Sequence, residues 1–155
     1  RVSSSAASDV YKRQGIDLVK EQILVANGEK LTIKQEDIKL KGSSIECRIN
    51  AEHPESFIPS PGKITQYHQP GGLGIRVDSA VYDGYSIPSH YDSMIGKLIT
   101  YGATRSEALK KMNRALEEYV IMGINTNIQL HQKIIQTDEF KRGSYNINFM
   151  SNLIE

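Results

Sequence analysis

Residues 44–52 read SIECRINAE, and apolar and polar side chains alternate through this stretch without a break. In an extended chain, successive side chains point to opposite faces. The apolar face consists of Ile45, Cys47, Ile49 and Ala51. The polar face consists of Glu46, Arg48, Asn50 and Glu52. The alternation therefore predicts a β-strand over 45–52 that packs one face into a core and leaves the other face charged.

The polar face of this strand has two interpretations. In the first, the carboxylates of Glu46 and Glu52 hold the Arg48 guanidinium rigid, and its planar donors bind an anion at two points. A carboxylate, bicarbonate or enolate has the matching shape. In the second, the opposite charges simply pair on an exposed sheet surface and contribute at most ~1 kcal/mol. The alternation alone favours the second interpretation.

Downstream of this strand, turn residues separate further short extended runs. Prolines and glycines predict turns before the runs 63–68 and 74–79, and Asp83-Gly84 predicts another turn. A mostly buried strand is predicted over 94–101. Connections as short as these join antiparallel strands.

The last third of the chain has a helical period instead. Thr104 and Glu107 form a capping box, and a continuous apolar stripe follows until shortly before Gly123. The stripe consists of Ala108, Leu109, Met112, Ala115, Leu116, Tyr119 and Val120. Further helices are predicted to open at Thr126 and at Thr137. Strands followed by helices predict an α+β domain with helices packed on one face of an antiparallel sheet.

The N-terminal part has a different character. Residues 1–14, RVSSSAASDVYKRQ, have neither a helical nor a strand period, and we expect them to be an extraneous, disordered leader. Apolar residues from Ile16 onward recur at helical spacing, and Asn27-Gly28 suits a helix C-cap. Residues 29–43 are polar and rich in lysine, so a solvated connection and a domain boundary are predicted there.

Composition excludes several classes of protein. The chain has 155 residues, 39% of them hydrophobic, and a net charge of +1, which permits a core but gives no basic excess for nucleic acid. It has one cysteine and no apolar stretch of the ~20 residues that a membrane span needs. We therefore expect a cytoplasmic protein without a disulfide. No metal site is expected, because the histidines lack metal-ligand spacing: His53, His68, His90 and His131.

Five motifs, taken together and in order, resemble the C-terminal domain of biotin carboxylase. They are SIECRINAE at 44–52, PSPGKI at 59–64, PGG at 70–72, GIRVDS at 74–79 and YDSMIGKLI at 91–99. This family belongs to the ATP-grasp carboxylases and includes the biotin carboxylase subunit of acetyl-CoA carboxylase. The resemblance implies that residues 15–42 are the tail of an ATP-grasp domain with its connection. It also implies that residues 43–155 form the biotin carboxylase C-terminal domain.

The resemblance also implies roles for particular residues. Arg48 would be catalytic, binding bicarbonate and the ureido ring of biotin and steadying the biotin enolate. Ile147, in GSYNI at 143–147, would cover the adenine of ATP, although Tyr145 and Asn148 replace the threonine and histidine more often found beside it.

A dimer interface is implied by the GLGIR stretch. Leu73 and Arg76 correspond to the positions that pack across the two-fold axis of the family's dimer. An aromatic residue often occupies the first of these positions, and leucine offers less surface.

For the whole protein, the resemblance implies carboxylation of biotin with ATP, magnesium and bicarbonate, to supply malonyl-CoA for fatty acid synthesis. Biotin carboxyl carrier protein and carboxyltransferase subunits would be its partners, and the full-length form would be a homodimer. The pattern Asn-x-Arg-x-Gln-x-Glu-His, which carries other catalytic groups of the family, does not occur in the 155 residues. We therefore expect this chain alone to be inactive.

Three alternatives remain. The chain could be a non-catalytic interaction module that retains the dimer surface. It could be the equivalent domain of a fused acyl-CoA or pyruvate carboxylase. A third alternative, an ATP-grasp ligase with another substrate, is disfavoured by the five motifs.

Overall fold

The computed structural model of the chain describes residues 16–90 and 92–154. The expected leader, residues 1–14, lies outside the described residues. The strands of the described part are β1 Ser43–Asn50, β2 Gly62–Lys63, β3 Gln66–His68, β4 Ile75–Ser79, β5 Ser86–Ile87, β6 Met94–Gly102 and β7 Val120–Met122. Its α-helices are α1 Leu18–Ala26, α2 Arg105–Glu118, α3 Ile128–Gln136, α4 Asp138–Arg142 and α5 Phe149–Ile154. A short 3-10 turn covers Gln35–Asp37.

The main sheet has three antiparallel strands in the order β1, β6, β4. The strand predicted over 45–52 ends at Asn50, and Glu52 then makes an isolated bridge to Pro59. The run predicted over 63–68 is divided into β2, which pairs with β5, and β3, which pairs with β7. The antiparallel sheet and the α+β class are confirmed, with a more divided sheet than the turn pattern indicates.

The apolar face of β1 is buried as the alternation predicts. The exposed fraction is 6% for Ile45, 4% for Cys47 and 0% for Ile49. Helix α2 covers this face and contributes Met112 and Leu116 to the same cluster. The helix lies close to the sheet: a Cβ atom on Gly102 would come within 2.6 Å of the Ala108 nitrogen. Helices therefore pack on one face of the sheet, as the sequence predicts.

Helix α2 begins as predicted and ends early. The Thr104 hydroxyl accepts a hydrogen bond from Glu107 N–H at 3.2 Å, which confirms the N-cap. The predicted stripe continues through Tyr119 and Val120, but the helix stops at Glu118 and Val120 starts β7. Pairing of β7 with β3 and the 3.0 Å contact between the Tyr119 and Tyr67 hydroxyls explain the difference. Tertiary pairing overrides the helical period here.

Helix α3 does not begin at its predicted cap, whereas helix α4 does. Helix α3 begins at Ile128 and not at Thr126, because Asn127 is the N-cap residue and its side chain bonds to β1 instead of the helix. The prediction at Thr137 is confirmed: its hydroxyl accepts from Phe140 N–H, and α4 ends at Arg142, followed by Gly143 as the C-cap with a left-handed φ of 74°. Helix α5 was not predicted.

The first helix ends as predicted, with Asn27 as its C-cap. At its start, the Asp17 carboxylate accepts from Lys20 N–H at 3.0 Å. The Glu21 carboxylate accepts from the hydroxyl of Thr32 at 2.6 Å and from its N–H at 3.2 Å, which ties the following connection to α1. The apolar side chain of Ile23 is 63% exposed.

The described helices include none that combines the length and the apolar composition needed to cross a membrane.

Candidate functional site

Arg48 lies on the exposed face of β1, opposite Lys97 of the central strand. Lys97 is in turn opposite Asp78 of β4. The Arg48 Nε donates a hydrogen bond to the sulfur of Met94 at 3.3 Å. Two cationic side chains therefore start from neighbouring positions on one face of the sheet, with a carboxylate on the strand beyond them.

Among the described residues no carboxylate pairs with the Arg48 guanidinium, which differs from both interpretations of the polar face. None of the ion pairs among the described residues includes Arg48. The Glu52 carboxylate accepts from Asn50 Nδ2 at 3.3 Å and from the Ser93 hydroxyl instead. The Glu52 carboxylate is thus engaged by Asn50 and Ser93 and not by Arg48. Arg48 is therefore not neutralised by a salt bridge within the described part of the chain.

The chemical capacity of Arg48 follows from these contacts. The Met94 sulfur is a weak acceptor and engages only Nε. No hydrogen bond from the two terminal guanidinium nitrogens occurs among the described residues. Because guanidinium stays charged at any working pH, these nitrogens can present a two-point fork to a planar anion.

An open cavity adjoins this surface. Its volume is about 410 Å³, and Met94, which contacts Arg48, forms part of its wall. Asp78, Ser79 and Lys97 contribute polar groups to the same wall. The cavity therefore offers space and polar groups next to Met94, the residue that Arg48 contacts.

The backbone of Arg48 is held from the helical side. Asn127 Nδ2 donates to the Arg48 carbonyl at 3.0 Å, and His131 Nε2 lies 2.9 Å from the same oxygen. Asn127 Oδ1 accepts from Asn50 N–H at 2.9 Å, and Asn127 N–H donates to the Asn50 carbonyl at 3.2 Å. Sequence reasoning gave neither Asn127 nor His131 a role at this site. Their spacing of four residues, which places them on one face of a helix, was the available signal.

Two titratable groups near Arg48, His131 and Cys47, are uncharged at neutral pH. Burial lowers the pKa of His131, against the opposing effect of its hydrogen bond to the Arg48 carbonyl. A neutral ring with its proton on Nε2 donates to that carbonyl. Burial, followed by the charge of Glu46, raises the pKa of Cys47 to about 12. The Cys47 thiol is therefore protonated and is no nucleophile.

The other predicted site residues occupy separate places. Arg76 lies on the same sheet face as Arg48, on the opposite outer strand, and its Nε donates to Asp78 Oδ1 at 2.7 Å. Leu73, in the turn before β4, is 93% exposed. Ile147 precedes α5 and is 97% exposed, so it is not a core residue. The structure brings Arg48 and Arg76 onto one surface and describes no contact of Ile147 with either.

A metal site is a separate question. The described residues contain no group of three or more histidine, cysteine or acidic side chains that could hold a metal ion. A magnesium ion, which the family resemblance implies, therefore finds no ligand cluster among them.

Comparison with known proteins identifies the domain. The family model of the biotin carboxylase C-terminal domain matches residues 46–152. Biotin carboxylase of Haemophilus influenzae is 57% identical over 136 residues, which are 88% of this chain and 30% of that protein. A pyruvate carboxylase chain of Methanothermobacter thermautotrophicus is 55% identical over 137 residues, which are 88% of this chain and 28% of that protein.

A solved structure agrees with these sequences. The biotin carboxylase domain of Hydrogenobacter thermophilus 2-oxoglutarate carboxylase was solved as a dimer in complex with MgADP, ADP and bicarbonate. It is 42% identical with a TM-score of 0.89, and the match covers 94% of this chain and 33% of that one. The chain spans about a third of the length of the relatives it matches. The chain belongs to the biotin carboxylase family, of which it carries the C-terminal domain.

Proposed function

We propose that the protein to which this chain belongs carboxylates biotin with ATP and bicarbonate, and that Arg48 is a catalytic residue of that reaction. The observation that carries the proposal is the exposed Arg48 guanidinium, which has no salt-bridge partner among the described residues and contacts Met94, a residue in the wall of an open cavity. The bicarbonate in the Hydrogenobacter thermophilus relative supports an anionic substrate.

The chemistry explains why an arginine serves this purpose. Removing the proton from the ureido nitrogen of biotin moves negative charge onto the ureido oxygen. A cation that is already in place stabilises this charge more in the transition state than in the ground state. Arg48 would bind bicarbonate with its two-point fork and then stabilise the charge on biotin. When bound, ATP with magnesium supplies the phosphoryl group that activates bicarbonate.

Activity of a hybrid enzyme tests the role of Arg48. The hybrid carries this chain in place of the matching segment of the Haemophilus influenzae biotin carboxylase. Arg48→Ala should lower biotin-dependent ATP cleavage by about a hundredfold and leave KM for ATP unchanged. Arg114→Ala is the matched control, because Arg114 is also exposed and its partners in the described part of the chain are Glu118 and the Gly71 carbonyl. Equal activity of the two variants would remove Arg48 from the mechanism.

Ile147 is proposed as the adenine contact of ATP. Its near-complete exposure leaves an apolar side chain available for a flat ring. The segment that carries it is held by aromatic packing: the Tyr145 ring stacks on Phe140 with 5.1 Å between centroids, and Phe149 contacts both rings. In the hybrid, Ile147→Ser should raise KM for ATP, whereas Ile147→Leu should leave it unchanged. Identical KM values in the two variants would argue against the contact.

Leu73 and Arg76 are proposed to lie at a homodimer interface. The Hydrogenobacter thermophilus relative was solved as a dimer, and the Leu73 side chain, which is 93% exposed, is accessible to a second chain. Sedimentation of the hybrid should show that Leu73→Asp shifts the dimer toward monomer. Tyr82→Asp, at another exposed apolar position, is the control. A Leu73→Asp hybrid that remains dimeric at the same concentration contradicts this assignment.

The reaction served by the carboxylated biotin is proposed to be that of acetyl-CoA carboxylase in the cytoplasm. It would supply malonyl-CoA for fatty acid synthesis, together with biotin carboxyl carrier protein and carboxyltransferase subunits. The five sequence motifs support this choice. Pyruvate carboxylase is the second candidate, because the Methanothermobacter thermautotrophicus chain is nearly as similar as the Haemophilus influenzae biotin carboxylase, at 55% against 57% identity. Transfer assays with each carrier protein and acceptor distinguish the two.

The isolated chain is proposed to lack activity. Residues 15–42 would be the tail of an ATP-grasp domain, and residues 43–155 would be the C-terminal domain. The absence of a carboxylate cluster for magnesium among the described residues supports this division of labour. Bicarbonate-dependent ATP cleavage with free biotin, measured on the 155-residue chain, should stay at background. Turnover above background contradicts the proposal.

A further inference from the structure

Asn127 replaces a neighbouring strand along the outer edge of β1. Because β1 is an outer strand of its sheet, its outward N–H and C=O groups have no strand partner. The side-chain amide of Asn127 bonds one group of each kind, the Asn50 N–H and the Arg48 carbonyl. Its own N–H bonds the Asn50 carbonyl. An amide side chain can do this because it has the same donor and acceptor as a peptide group.

These bonds occur at the end of β1 where its pairing with β6 is irregular. The register between β1 and β6 shifts between Ile49 and Asn50, so Arg48 is close to the end of the regular ladder. A bulge bends its strand and re-aims the side chains beside it. The hydrogen bonds from Asn127 therefore fix the backbone at residues 48–50, where the pairing of β1 with β6 is irregular.

His131 adds a second bond to the same carbonyl. It lies one helical turn after Asn127, and its Nε2 is 2.9 Å from the Arg48 oxygen. Asn127 is only 7% exposed, so breaking these bonds while α3 stays packed on β1 would leave its polar atoms buried and unsatisfied. Burial thus makes the loss of these bonds costly in the packed structure.

We propose that Asn127 and His131 are positioning residues for Arg48, which fix the direction in which the guanidinium leaves the strand. Neither residue touches substrate; both act through the Arg48 backbone. The proposal rests on the proposed function only in assigning a reaction to Arg48. The positioning itself is a property of this chain and is measurable without that reaction.

Nuclear magnetic resonance of the 155-residue chain tests the positioning. The readouts are hydrogen exchange of the Asn50 amide and relaxation of the Arg48 side-chain Nε–H. Asn127→Ala should speed Asn50 exchange by about tenfold, the factor for one hydrogen bond of ordinary strength, and should make Arg48 Nε–H more mobile. His131→Leu should make the Arg48 side chain more mobile. His131→Gln retains a hydrogen-bond donor and should keep Arg48 as restrained as in the parent chain.

Thr100→Val is the control. It removes the buried hydrogen bond from Thr100 to the Ala108 carbonyl and so destabilises the domain without touching Arg48. It should lower Tm and leave Arg48 Nε–H relaxation unchanged. Unchanged Arg48 relaxation in Asn127→Ala overturns the proposal, and so does an equal change in Thr100→Val.

Kinetics of the Haemophilus influenzae hybrid separate this proposal from the proposed function. Asn127→Ala should lower kcat for biotin-dependent ATP cleavage and leave KM for ATP unchanged, with His131→Gln close to the parent hybrid. If Arg48→Ala has no effect on turnover, the proposed function fails, whereas the relaxation result still decides the positioning. If Arg48→Ala removes turnover and Asn127→Ala does not lower kcat, the positioning role is overturned.

Discussion

The two faces of β1 are built from alternate residues of one strand and meet different surroundings. Ile45, Cys47 and Ile49 are at most 6% exposed and pack under helix α2. Arg48, on the opposite face, is exposed and contacts the Met94 sulfur. The packed face is thus closed by the domain itself, whereas the polar face is open at Arg48. Substitutions on the packed face are therefore expected to change stability, whereas substitution of Arg48 is expected to change activity with little effect on stability.

The largest effect is expected on the packed face. Ile49→Ala leaves a cavity at a position that is 0% exposed, and should lower the free energy of unfolding by about 2–5 kcal/mol. Ile49→Val should cost only about 1 kcal/mol. Chemical denaturation of the chain measures both. If the two variants are equally stable, tight packing of this face is not what stabilises the domain.

A smaller effect is expected at the helix that covers the packed face. Thr104→Ala removes the hydroxyl that accepts from Glu107 N–H, and should cost about 1 kcal/mol of unfolding free energy. Thr104→Ser retains an acceptor at this position and is the control. Thermal unfolding of the two variants should show a lower Tm for alanine only; equal values would mean that the cap contributes nothing measurable.

The stability of the domain is expected to depend on pH through His131, which contacts the outer edge of β1 at the Arg48 carbonyl. Because burial lowers the pKa of His131 below its ordinary value of 6.5, the unfolded chain binds a proton there more readily than the folded chain. The contribution of His131 to stability is therefore present above pH 6.5 and is lost as the pH falls below it. Denaturation curves between pH 8 and about 5 should show a weaker pH dependence in His131→Gln than in the parent chain. Parallel curves contradict this expectation.

The smallest effect on stability is expected on the polar face. Arg48→Ala should change the free energy of unfolding by no more than about 0.5 kcal/mol, because Arg48 is exposed and its described side-chain contact is one weak sulfur acceptor. Paired with Ile49→Ala, this variant sharpens the contrast between neighbouring residues of one strand. A loss as large as that of Ile49→Ala would show that the two faces do not separate.

Much of the fold followed from local patterns that the structure confirms. Alternation placed Ile45 and Cys47 in the core and Arg48 on the surface. Capping residues located the start of α2 at Thr104 and of α4 at Thr137. These features depend on side-chain direction and on hydrogen bonds within a few residues, so a single sequence contains the information.

The rest depended on contacts between distant segments. Tyr119 and Val120 continue a helical period, yet they leave the helix because β7 pairs with β3. Asparagine is a residue type typical of helix N-caps, yet the Asn127 side chain accepts a hydrogen bond from Asn50 N–H, on a strand far earlier in the chain. The catalytic role that we propose for Arg48 came from family resemblance, since alternation does not distinguish an anion site from a charged surface.

The Asn127 contact also bears on how copies of the chain behave toward one another. An uncovered outer strand is a template on which a second chain can add a strand, a common start of aggregation. Here the Arg48 carbonyl and both backbone groups of Asn50 are already bonded to Asn127. An incoming strand would have to displace a buried amide and the helix that carries it. The same residue that we propose to aim Arg48 thus shields the end of this edge at residues 48–50 against self-association.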